Sequence, residues 1–279
     1  MGAGIAEVAA KANFDVVVRE VGDDLLEAGR GRIRKSLERA VEREKLTAAE
    51  RDSAWGRLRF STELSDLADR HLVIEAIVED IAAKNELFAT LDGLCGPETV
   101  FASNTSSLTI TDMAAASGRP ERVVGLHFFN PVPVMELVEV VRTIATSDEV
   151  FRAAYAFTEA LGKKPIAAKD NSGFVVNLLL VPYMLDAIRQ LERGVASMED
   201  IDRAMTLGLG HPMGPFTLCD FVGIDTLCRI SEIMFEEYRE GRYAPPSLLK
   251  RLVTMGRFGR KTGKGFYDWS GDRPVPLPF

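Results

Sequence analysis

His127 and Glu139 are the two residues in this sequence best suited to acid/base chemistry. His127 opens the segment His127-Phe128-Phe129-Asn130-Pro131, and Glu139 stands twelve residues after the histidine. A neutral imidazole titrates near working pH and can take a proton from a hydroxyl group. A carboxylate beside it can orient the ring and stabilise the imidazolium that forms. The pair therefore predicts an enzyme that moves a proton during its reaction.

The elements that would hold these two residues are short strands. Apolar runs rich in β-branched residues alternate with helical patterns, which is typical of a parallel α/β sheet. The runs cover residues 16–18, 72–74, 99–102, 123–127 and 137–141. His127 and Glu139 fall in two successive strands that we expect to be neighbours. Side chains alternate between the faces of a strand, so Glu139 shares a face with Leu137 and Val141. An ionised acid on that face needs a partner, which favours pairing with His127.

The pattern changes after residue 169. Before that point a polar insertion interrupts the alternation at about residues 23–55, where Arg, Lys and Glu follow helical spacing. From Ser172 onward the apolar positions follow helical periodicity. The polar segment Asp170-Asn171-Ser172-Gly173 separates the two parts. We therefore predict an α/β domain at residues 1–169, with a helical hairpin at about 23–55, and an all-α domain at residues 170–279.

Composition narrows the class of protein. The chain has 34 basic and 41 acidic residues and a net charge of -7, which disfavours nonspecific nucleic-acid binding. Cys95, Cys219 and Cys228 lack metal-ligand spacing, so we expect no metal site and buried thiols in a reducing compartment. A run of about 18 apolar residues and a signal-peptide pattern are both absent. We predict a cytoplasmic protein with no nucleic-acid or membrane partner.

The first twenty residues have features of a dinucleotide-binding unit. In such a unit a glycine-rich turn opens a helix whose N–H groups hold the pyrophosphate, and an acid after the next strand binds the ribose. Gly2 fits the third glycine of that turn, and Glu20 stands 18 residues later at the end of a predicted strand. A carboxylate there would repel a 2′-phosphate, so Glu20 favours NAD over NADP. Taken alone, this pattern is also typical of plain α/β packing.

Several ordered motifs accompany the histidine segment. They are Asn104-Thr105-Ser106-Ser107, Ser172-Gly173-Phe174-Val175-Val176-Asn177, His211-Pro212-Met213-Gly214-Pro215 and Lys261-Thr262-Gly263-Lys264-Gly265-Phe266-Tyr267. With them the whole chain resembles the 3-hydroxyacyl-CoA dehydrogenases, and among these the stand-alone bacterial members that act on 3-hydroxybutyryl-CoA. The resemblance implies a Rossmann-like N-terminal domain, an all-α C-terminal domain, NAD as cofactor, an acyl-CoA substrate and a homodimer formed through the helical part.

The resemblance also implies catalytic and substrate-binding roles. His127 corresponds to the base that takes the proton from the 3-hydroxyl group, and Glu139 to the carboxylate that holds its imidazole. Ser106 and Asn177 match family residues that contact the substrate hydroxyl or carbonyl oxygen. Asn130 matches a residue that supports the active site and contacts substrate and cofactor. Hydroxyl and amide groups of this kind can hold an oxygen atom while its charge changes.

A further set of residues matches positions near the dinucleotide and the CoA moiety. The resemblance places Gly2, Glu20, Glu79, Lys84, Ser106, Asn130 and Lys261 at the cofactor. It places the basic hairpin, including Lys35 and Arg39, in the region of the CoA moiety. No metal ligand is implied.

Ordinary structural roles compete with several of these assignments. Glu139 could form a plain buried salt bridge. Ser106 could cap a helix, because the Asn, Thr and Ser residues of the segment from Asn104 to Ser107 are types favoured at the N-cap position. Lys84 and Lys261 could be solvated lysines. The basic run at residues 30–45 is interleaved with Glu38, Glu42 and Glu44, which suits an exposed ion-paired helix as well as a phosphate site.

The glycine-rich turn lacks its front half in this sequence. Family members have an apolar strand and two further glycines before the position of Met1-Gly2, so the first strand of the Rossmann-like domain is expected to be missing. That strand would lie at the sheet centre, and a chain without it should fold poorly. We weigh a start site placed too late, a compensating rearrangement or strand exchange, and a loss of cofactor binding. We favour the first, which predicts that upstream residues raise stability and NADH affinity.

The function predicted from these observations is NAD-dependent oxidation of an L-3-hydroxyacyl-CoA to the 3-ketoacyl-CoA, or the reverse, on short acyl chains such as 3-hydroxybutyryl-CoA. One alternative is a non-catalytic dimeric paralogue that holds the dinucleotide poorly. Another is a dehydrogenase of a free hydroxyacid. Dependence on the CoA thioester separates the last alternative from the main hypothesis.

Overall fold

The computed structural model describes residues 1–278. The chain forms two compact units, Met1–Asn171 and a second unit that begins at Ser172. The division falls within the polar segment Asp170-Asn171-Ser172-Gly173.

The first unit alternates strands and helices. Its strands are β1 (Val16–Arg19), β2 (Leu58–Ser61), β3 (Leu72–Glu75), β4 (Val100–Ser103), β5 (Val123–Phe128), β6 (Leu137–Arg142) and β7 (Lys164–Lys169). Its helices are α1 (Gly2–Lys11), α2 (Asp23–Glu42), α3 (Ala48–Gly56), α4 (Ile81–Leu94), α5 (Ile110–Ala116) and α6 (Asp148–Ala160), with short 3-10 turns at Leu64–Leu67 and Pro120–Arg122. Four of the five apolar runs singled out in the sequence lie within strands, and the fifth, 99–102, begins one residue before β4, which confirms the predicted α/β class.

Two separate sheets make up this unit. Five strands form one sheet in the order β3-β4-β5-β6-β7, whereas β1 and β2 form a parallel pair of their own. Within the larger sheet, β3, β4 and β5 are parallel, β6 runs antiparallel to β5, and β7 runs parallel to β6. The sheet is therefore mixed rather than wholly parallel. The connection at residues 129–136 explains the reversal, because a parallel crossover needs about a dozen residues or more.

Apolar residues on both sides of α1 attach that helix to the rest of the unit. Ile5, Val8 and Ala9 pack with buried residues of β4, β5, β6 and α6. Ala6 and Ala10 pack instead against Ile33 and Leu37 of α2 and Ala54 of α3. Helix α1 thus links the five-stranded sheet to the helical hairpin of α2 and α3.

The helical hairpin has a well-defined turn. Thr47 caps α3 through a capping box, in which its hydroxyl accepts from the N–H of Glu50 while the Glu50 carboxylate accepts from the N–H of Thr47. Arg30 and Arg34 place their guanidinium groups 5.9 and 4.7 Å from the Trp55 ring centroid, so the two helices are joined by cation–π contacts.

The second unit is mainly helical. Its helices are α7 (Val176–Glu192), α8 (Met198–Leu209), α9 (Pro215–Val222), α10 (Ile224–Tyr238) and α11 (Ser247–Thr254). It also contains a 3-10 turn at Arg260–Thr262 and a two-stranded pair, β8 (Tyr267–Asp268) and β9 (Val275–Pro276), which the sequence pattern did not predict. Two buried aspartates organise this unit: Asp202 accepts from the N–H groups of Phe216 and Thr217, and Asp220 accepts from those of Phe266 and Tyr267.

Three negative findings apply to residues 1–278. Within them, no helix is long and apolar enough to cross a membrane. The same residues contain no group of three or more His, Cys, Asp or Glu side chains that could hold a metal ion. Cys95, Cys219 and Cys228 are buried and form no disulfide.

Candidate active site

His127 and Glu139 form a buried pair across two antiparallel strands. They are direct register partners in the β5–β6 ladder, and Nδ1 of His127 lies 2.5 Å from Oε2 of Glu139. Glu139 is fully buried and His127 is 5% exposed. The Phe129 ring packs beside the imidazole, with ring centroids 4.5 Å apart. Because Nδ1 faces the carboxylate, the other ring nitrogen, Nε2, is the candidate atom for proton exchange with a substrate.

The position of Glu139 follows from the sequence of β6. The flanking residues Val138 and Val140 are both buried, so the whole central part of the strand is enclosed. A carboxylate in such a place is costly unless it is hydrogen-bonded, and the imidazole of His127 supplies that bond. The predicted pairing of the two residues is present in the structure.

Asn104 fixes the backbone next to the histidine. Its Oδ1 accepts from the N–H of Phe128 at 2.9 Å, and its own N–H donates to the carbonyl of Glu75 at 2.9 Å. Asn104 follows β4 directly, so it connects the carboxyl ends of β3, β4 and β5. The loop that begins with Asn104 is thereby held beside His127.

Glu79 organises the loop that carries Ser106. Its Oε1 accepts from the Thr105 hydroxyl at 2.5 Å, the Ser106 N–H at 3.2 Å and the Ser107 hydroxyl at 3.2 Å. Burial raises the pKa of Glu79, but the Thr105 hydroxyl, the charge of Lys84 and the Ser106 N–H together outweigh it, so the pKa lies below its ordinary value. Glu79 is therefore ionised at neutral pH and can accept all of these bonds.

Lys84 and Glu75 form a second buried pair behind this loop. The Lys84 Nζ lies 2.7 Å from Oε1 of Glu75 and 3.3 Å from Oε2 of Glu79. Both Lys84 and Glu75 have side chains that are 1% exposed. Glu75 also accepts from the Ser103 hydroxyl at 2.6 Å. Lys84 is thus a buried bridge between two carboxylates, and the solvated-lysine alternative is wrong for it.

The N-terminus of α1 lies at the same edge of the sheet. A Cβ added to Gly2 would lie 3.7 Å from the Cβ of Ala76, which follows β3, and one added to Gly4 would lie 2.9 Å from the Cβ of Val132, which follows β5. Gly4 therefore permits close packing that a larger residue would prevent. The helix start has no side-chain cap and no acid in its first turn, so its N–H groups suit an anion such as a pyrophosphate.

Glu20 belongs to this region as well. Burial lowers the pKa of the Met1 amino group, Arg32 lowers it further and Glu20 opposes both, which places Glu20 and Arg32 near the start of α1. Glu20 follows β1 directly. A carboxylate at the end of that strand and a helix N-terminus beside it are the two elements that a bound dinucleotide requires.

The contacts described above do not include four of the predicted residues. Asn130 is exposed in the loop after β5, and Lys35 is exposed on α2. Asn177 and Lys261 belong to the second unit: Asn177 is in the first turn of α7, and Lys261 pairs with Asp225 at 2.5 Å. Their predicted roles at substrate and cofactor stay predictions.

Two details differ from the expectations. Ser106 does not cap α5, because the first N–H groups of that helix, on Ile110 and Thr111, donate to Asp170 at 2.9 and 2.6 Å. The sequence reading also missed Glu75 and the anchoring role of Asn104. Glu75 is the last residue of an apolar strand, so the cost of burying a carboxylate predicts a partner for Glu75 as it does for Glu139.

Comparison with known proteins agrees with this geometry. Residues 1–171 match the NAD binding domain of 3-hydroxyacyl-CoA dehydrogenase, and residues 173–269 match its C-terminal domain. The chain is 55% identical over 271 residues to a 3-hydroxybutyryl-CoA dehydrogenase of Mycobacterium tuberculosis, which covers 96% of this chain and 95% of that protein. It is 47% identical over 276 residues to human mitochondrial hydroxyacyl-coenzyme A dehydrogenase, with 96% and 88% covered.

A solved structure shows the same fold. The crystal structure of (S)-3-hydroxybutyryl-CoA dehydrogenase from Ralstonia eutropha matches with a TM-score of 0.93 at 42% identity, covering 97% of this chain and 96% of that one. An NAD-binding α/β unit, a helical unit and a buried imidazole–carboxylate pair define an NAD-dependent oxidoreductase. The chain belongs to the 3-hydroxyacyl-CoA dehydrogenase family, and the predicted resemblance, fold class and cofactor are confirmed.

Proposed function

We propose that this protein oxidises L-3-hydroxyacyl-CoA to 3-ketoacyl-CoA with NAD, or catalyses the reverse reaction, and that short acyl chains such as 3-hydroxybutyryl are its substrates. The observation that carries this proposal is the buried contact between His127 and Glu139 beside the Ser106 loop. The preference for short chains is supported by the names of the bacterial relatives, which are 3-hydroxybutyryl-CoA dehydrogenases.

His127 acts as the base in this proposal. Oxidation of a hydroxyl group to a carbonyl requires its proton to leave, and Nε2 of His127 can accept it. The developing imidazolium is then stabilised by the Glu139 carboxylate, which is already 2.5 Å from Nδ1 and needs no rearrangement. In the reverse direction the imidazolium returns the proton to the substrate oxygen.

The Ser106 loop positions the substrate oxygen. Ser106 is held through its N–H by Glu79. Its hydroxyl group is the proposed contact to the hydroxyl or carbonyl oxygen of the substrate, on the basis of the family resemblance. Asn177 and Asn130 are further proposed substrate contacts on the basis of the family resemblance. Lys35 is the proposed contact to the CoA moiety, where a cation suits a phosphate.

The start of α1 and Glu20 would hold the cofactor. The α1 N–H groups suit the pyrophosphate, and the Glu20 carboxylate suits the ribose hydroxyls of NAD rather than the 2′-phosphate of NADP. When bound, NAD supplies the site that accepts the hydride from C3 of the substrate. Glu79, Lys84 and Lys261 are proposed to lie near it.

We also propose a cytoplasmic homodimer. Large apolar side chains of the second unit are exposed, among them Leu179 at 68%, Leu207 at 76% and Leu209 at 66%. Exposed apolar surface of this kind supports association with a second copy. Three buried cysteines without a disulfide suit a reducing compartment. Light scattering of the wild type and of Leu207→Glu tests the dimer; a monomeric wild type contradicts it.

The deciding experiment is an assay of NADH oxidation with acetoacetyl-CoA. We expect turnover by the wild type, none above background by His127→Gln, and normal turnover by His71→Gln, which changes an exposed histidine in the same unit. Equal rates with acetoacetate would favour the free-hydroxyacid alternative. An inactive wild type that also binds NADH poorly would favour the non-catalytic alternative.

A further inference from the structure

We propose that Lys84 is a positioning residue that acts through Glu79 to hold the Ser106 loop in place. The expected effect on catalysis rests on the proposed function. The expected effect on the conformation of the loop does not depend on it. It assigns Lys84 a role inside the protein, distinct from direct contact with the cofactor.

The first step of the argument is the burial of Lys84. Its side chain is 1% exposed, and its Nζ contacts Glu75 at 2.7 Å and Glu79 at 3.3 Å. A buried ammonium group is stable only where anionic acceptors surround it. Lys84 lies in the first turn of α4, so its contacts join this helix to the end of β3 and to the segment that follows β3.

The second step concerns Glu75, which holds Lys84 from the other side. Glu75 is 3% exposed and accepts from the Ile77 N–H at 2.6 Å and from the Ser103 hydroxyl at 2.6 Å, in addition to Lys84. Both of its oxygens are therefore occupied. Because Glu75 cannot move, the ammonium group of Lys84 is fixed in the position from which it reaches Glu79.

The third step is the arrangement of the loop. Four consecutive N–H groups donate to side chains of this cluster: Thr105 to Ser103 Oγ at 3.2 Å, Ser106 to Glu79 at 3.2 Å, and Ser107 and Leu108 to Thr105 Oγ1 at 3.4 and 3.1 Å. The Thr105 hydroxyl in turn donates to Glu79. These four N–H bonds thus depend on Ser103, Thr105 and Glu79.

Charge explains why Lys84 is needed. Glu75 and Glu79 are two carboxylates near the same point, and Lys84 supplies the positive charge between them. Without it the two carboxylates repel each other, and the partly buried Glu79 loses the cation that favours its ionised form. A neutral or displaced Glu79 is a weaker acceptor for the Ser106 N–H, because bonds to a charged acceptor are stronger than bonds to a neutral one.

The test uses a charge-neutral pair of substitutions. Lys84→Met alone leaves the buried Glu75 carboxylate without its cation and is expected to fold poorly. The double variant Glu75→Gln/Lys84→Met removes both charges of the buried pair and keeps the volumes nearly unchanged. Glu136→Gln/Lys164→Met makes the same chemical change in an exposed pair of the same unit, whose side chains are 66% and 76% exposed, and is the matched control. Glu79→Ala removes the loop contact directly.

Amide hydrogen exchange of residues 105–108 is the first readout. We expect exchange about 3- to 10-fold faster in Glu75→Gln/Lys84→Met and in Glu79→Ala, and no change in the control. The Ser106 N–H loses or weakens its bond to Glu79, and the Thr105 hydroxyl, which accepts from the Ser107 and Leu108 N–H groups, loses or weakens its own bond to Glu79. The second readout is kcat/KM with acetoacetyl-CoA, which should fall about 10- to 100-fold in both variants because Ser106 is displaced.

Unchanged exchange at residues 105–108 in either variant overturns the proposal. Wild-type exchange together with weaker NADH binding in the double variant overturns it in favour of direct contact between Lys84 and the cofactor. An inactive wild type would defeat the proposed function only, because the exchange measurement needs no turnover.

Discussion

Glu139 lies directly opposite His127 in the antiparallel β5–β6 ladder, and its carboxylate meets the imidazole at 2.5 Å with both side chains buried. Residues that are opposite each other in neighbouring strands are brought together by the backbone itself. The geometry of the proton-transfer pair therefore depends on strand pairing rather than on a flexible loop.

Replacement of His127 by Gln should abolish proton transfer while leaving the cofactor region intact. We expect kcat to fall by about 100- to 10,000-fold, the usual contribution of a positioned general base. NADH affinity, measured by fluorescence titration, should stay within about twofold, because His127 is not among the residues assigned to the dinucleotide. A variant that keeps wild-type kcat would exclude His127 as the base.

Glu139→Gln should be almost as harmful as loss of the histidine. The amide cannot stabilise an imidazolium and can stabilise the wrong tautomer, so we expect kcat to fall about 1,000- to 10,000-fold with little change in KM. Steady-state kinetics provide the measurement. Glu136→Gln is the control, since Glu136 precedes the same strand but is exposed and paired with Lys164; equal losses in the two variants would contradict the assignment.

Asn104 should affect catalysis through the backbone of Phe128. Asn104→Leu removes the acceptor of the Phe128 N–H and leaves that donor unsatisfied in a buried place, at a cost of about 1–3 kcal/mol. We expect a lower melting temperature and a kcat reduced about 10- to 100-fold. Asn104→Asp keeps the Oδ1 acceptor and should recover most of kcat. If Asp and Leu variants behave alike, the bond to Phe128 is not the cause.

Acid should weaken the protein partly through Glu79. Its pKa is lowered in the folded state from the ordinary value of 4.5, so the folded state binds the proton more weakly than the unfolded state does. The stability due to ionised Glu79 is fully present above pH 4.5 and is lost as the pH falls through the lower, folded-state pKa. Urea unfolding of the wild type and Glu79→Gln should show a stability difference that is constant at neutral pH and shrinks below that value. A difference that grows on acidification would contradict the prediction.

Gly4 and Gly2 should differ in their tolerance of a methyl group. In Gly4→Ala the new Cβ meets the Cβ of buried Val132 at 2.9 Å, and overpacking of this kind should outweigh the helix-forming gain and cost about 1–2 kcal/mol. Gly2→Ala is the matched control, since its Cβ lies at an ordinary 3.7 Å from Ala76. Thermal unfolding compares the two, and equal melting temperatures would contradict the close approach of α1 to Val132.

Much of the site could be predicted from the sequence because two simple rules governed it. Period-2 alternation and the cost of a buried charge together predicted a partner for Glu139, and the structure shows His127 there. The same rules applied to Glu75 and would have predicted a partner for it, which is Lys84 nine residues later. The even spacing of strands and helical patterns was enough for the α/β class.

Other features depend on tertiary context. Strand β7 contains Pro165 and begins and ends with a lysine, so its composition does not favour a strand; pairing with β6 decides its conformation. Strand β2 has the sequence Leu-Arg-Phe-Ser and lacks the β-branched residues by which the other short strands were recognised. The cap of α5 by Asp170 joins positions 60 residues apart, and no local pattern reports such a contact.

The His127–Glu139 contact exists only in the observed antiparallel register of β5 and β6. A slip of one residue would turn Glu139 to the opposite face and present Val138 or Val140 to the histidine instead. Shifts of register between the two strands therefore do not give intermediate distances between the His127 and Glu139 side chains. The intervening residues 129–136 are under no such restriction, because the ladder and not their length holds the two strands together. Changes of length in that connection would leave the proton-transfer pair the same as long as the two strands keep their register.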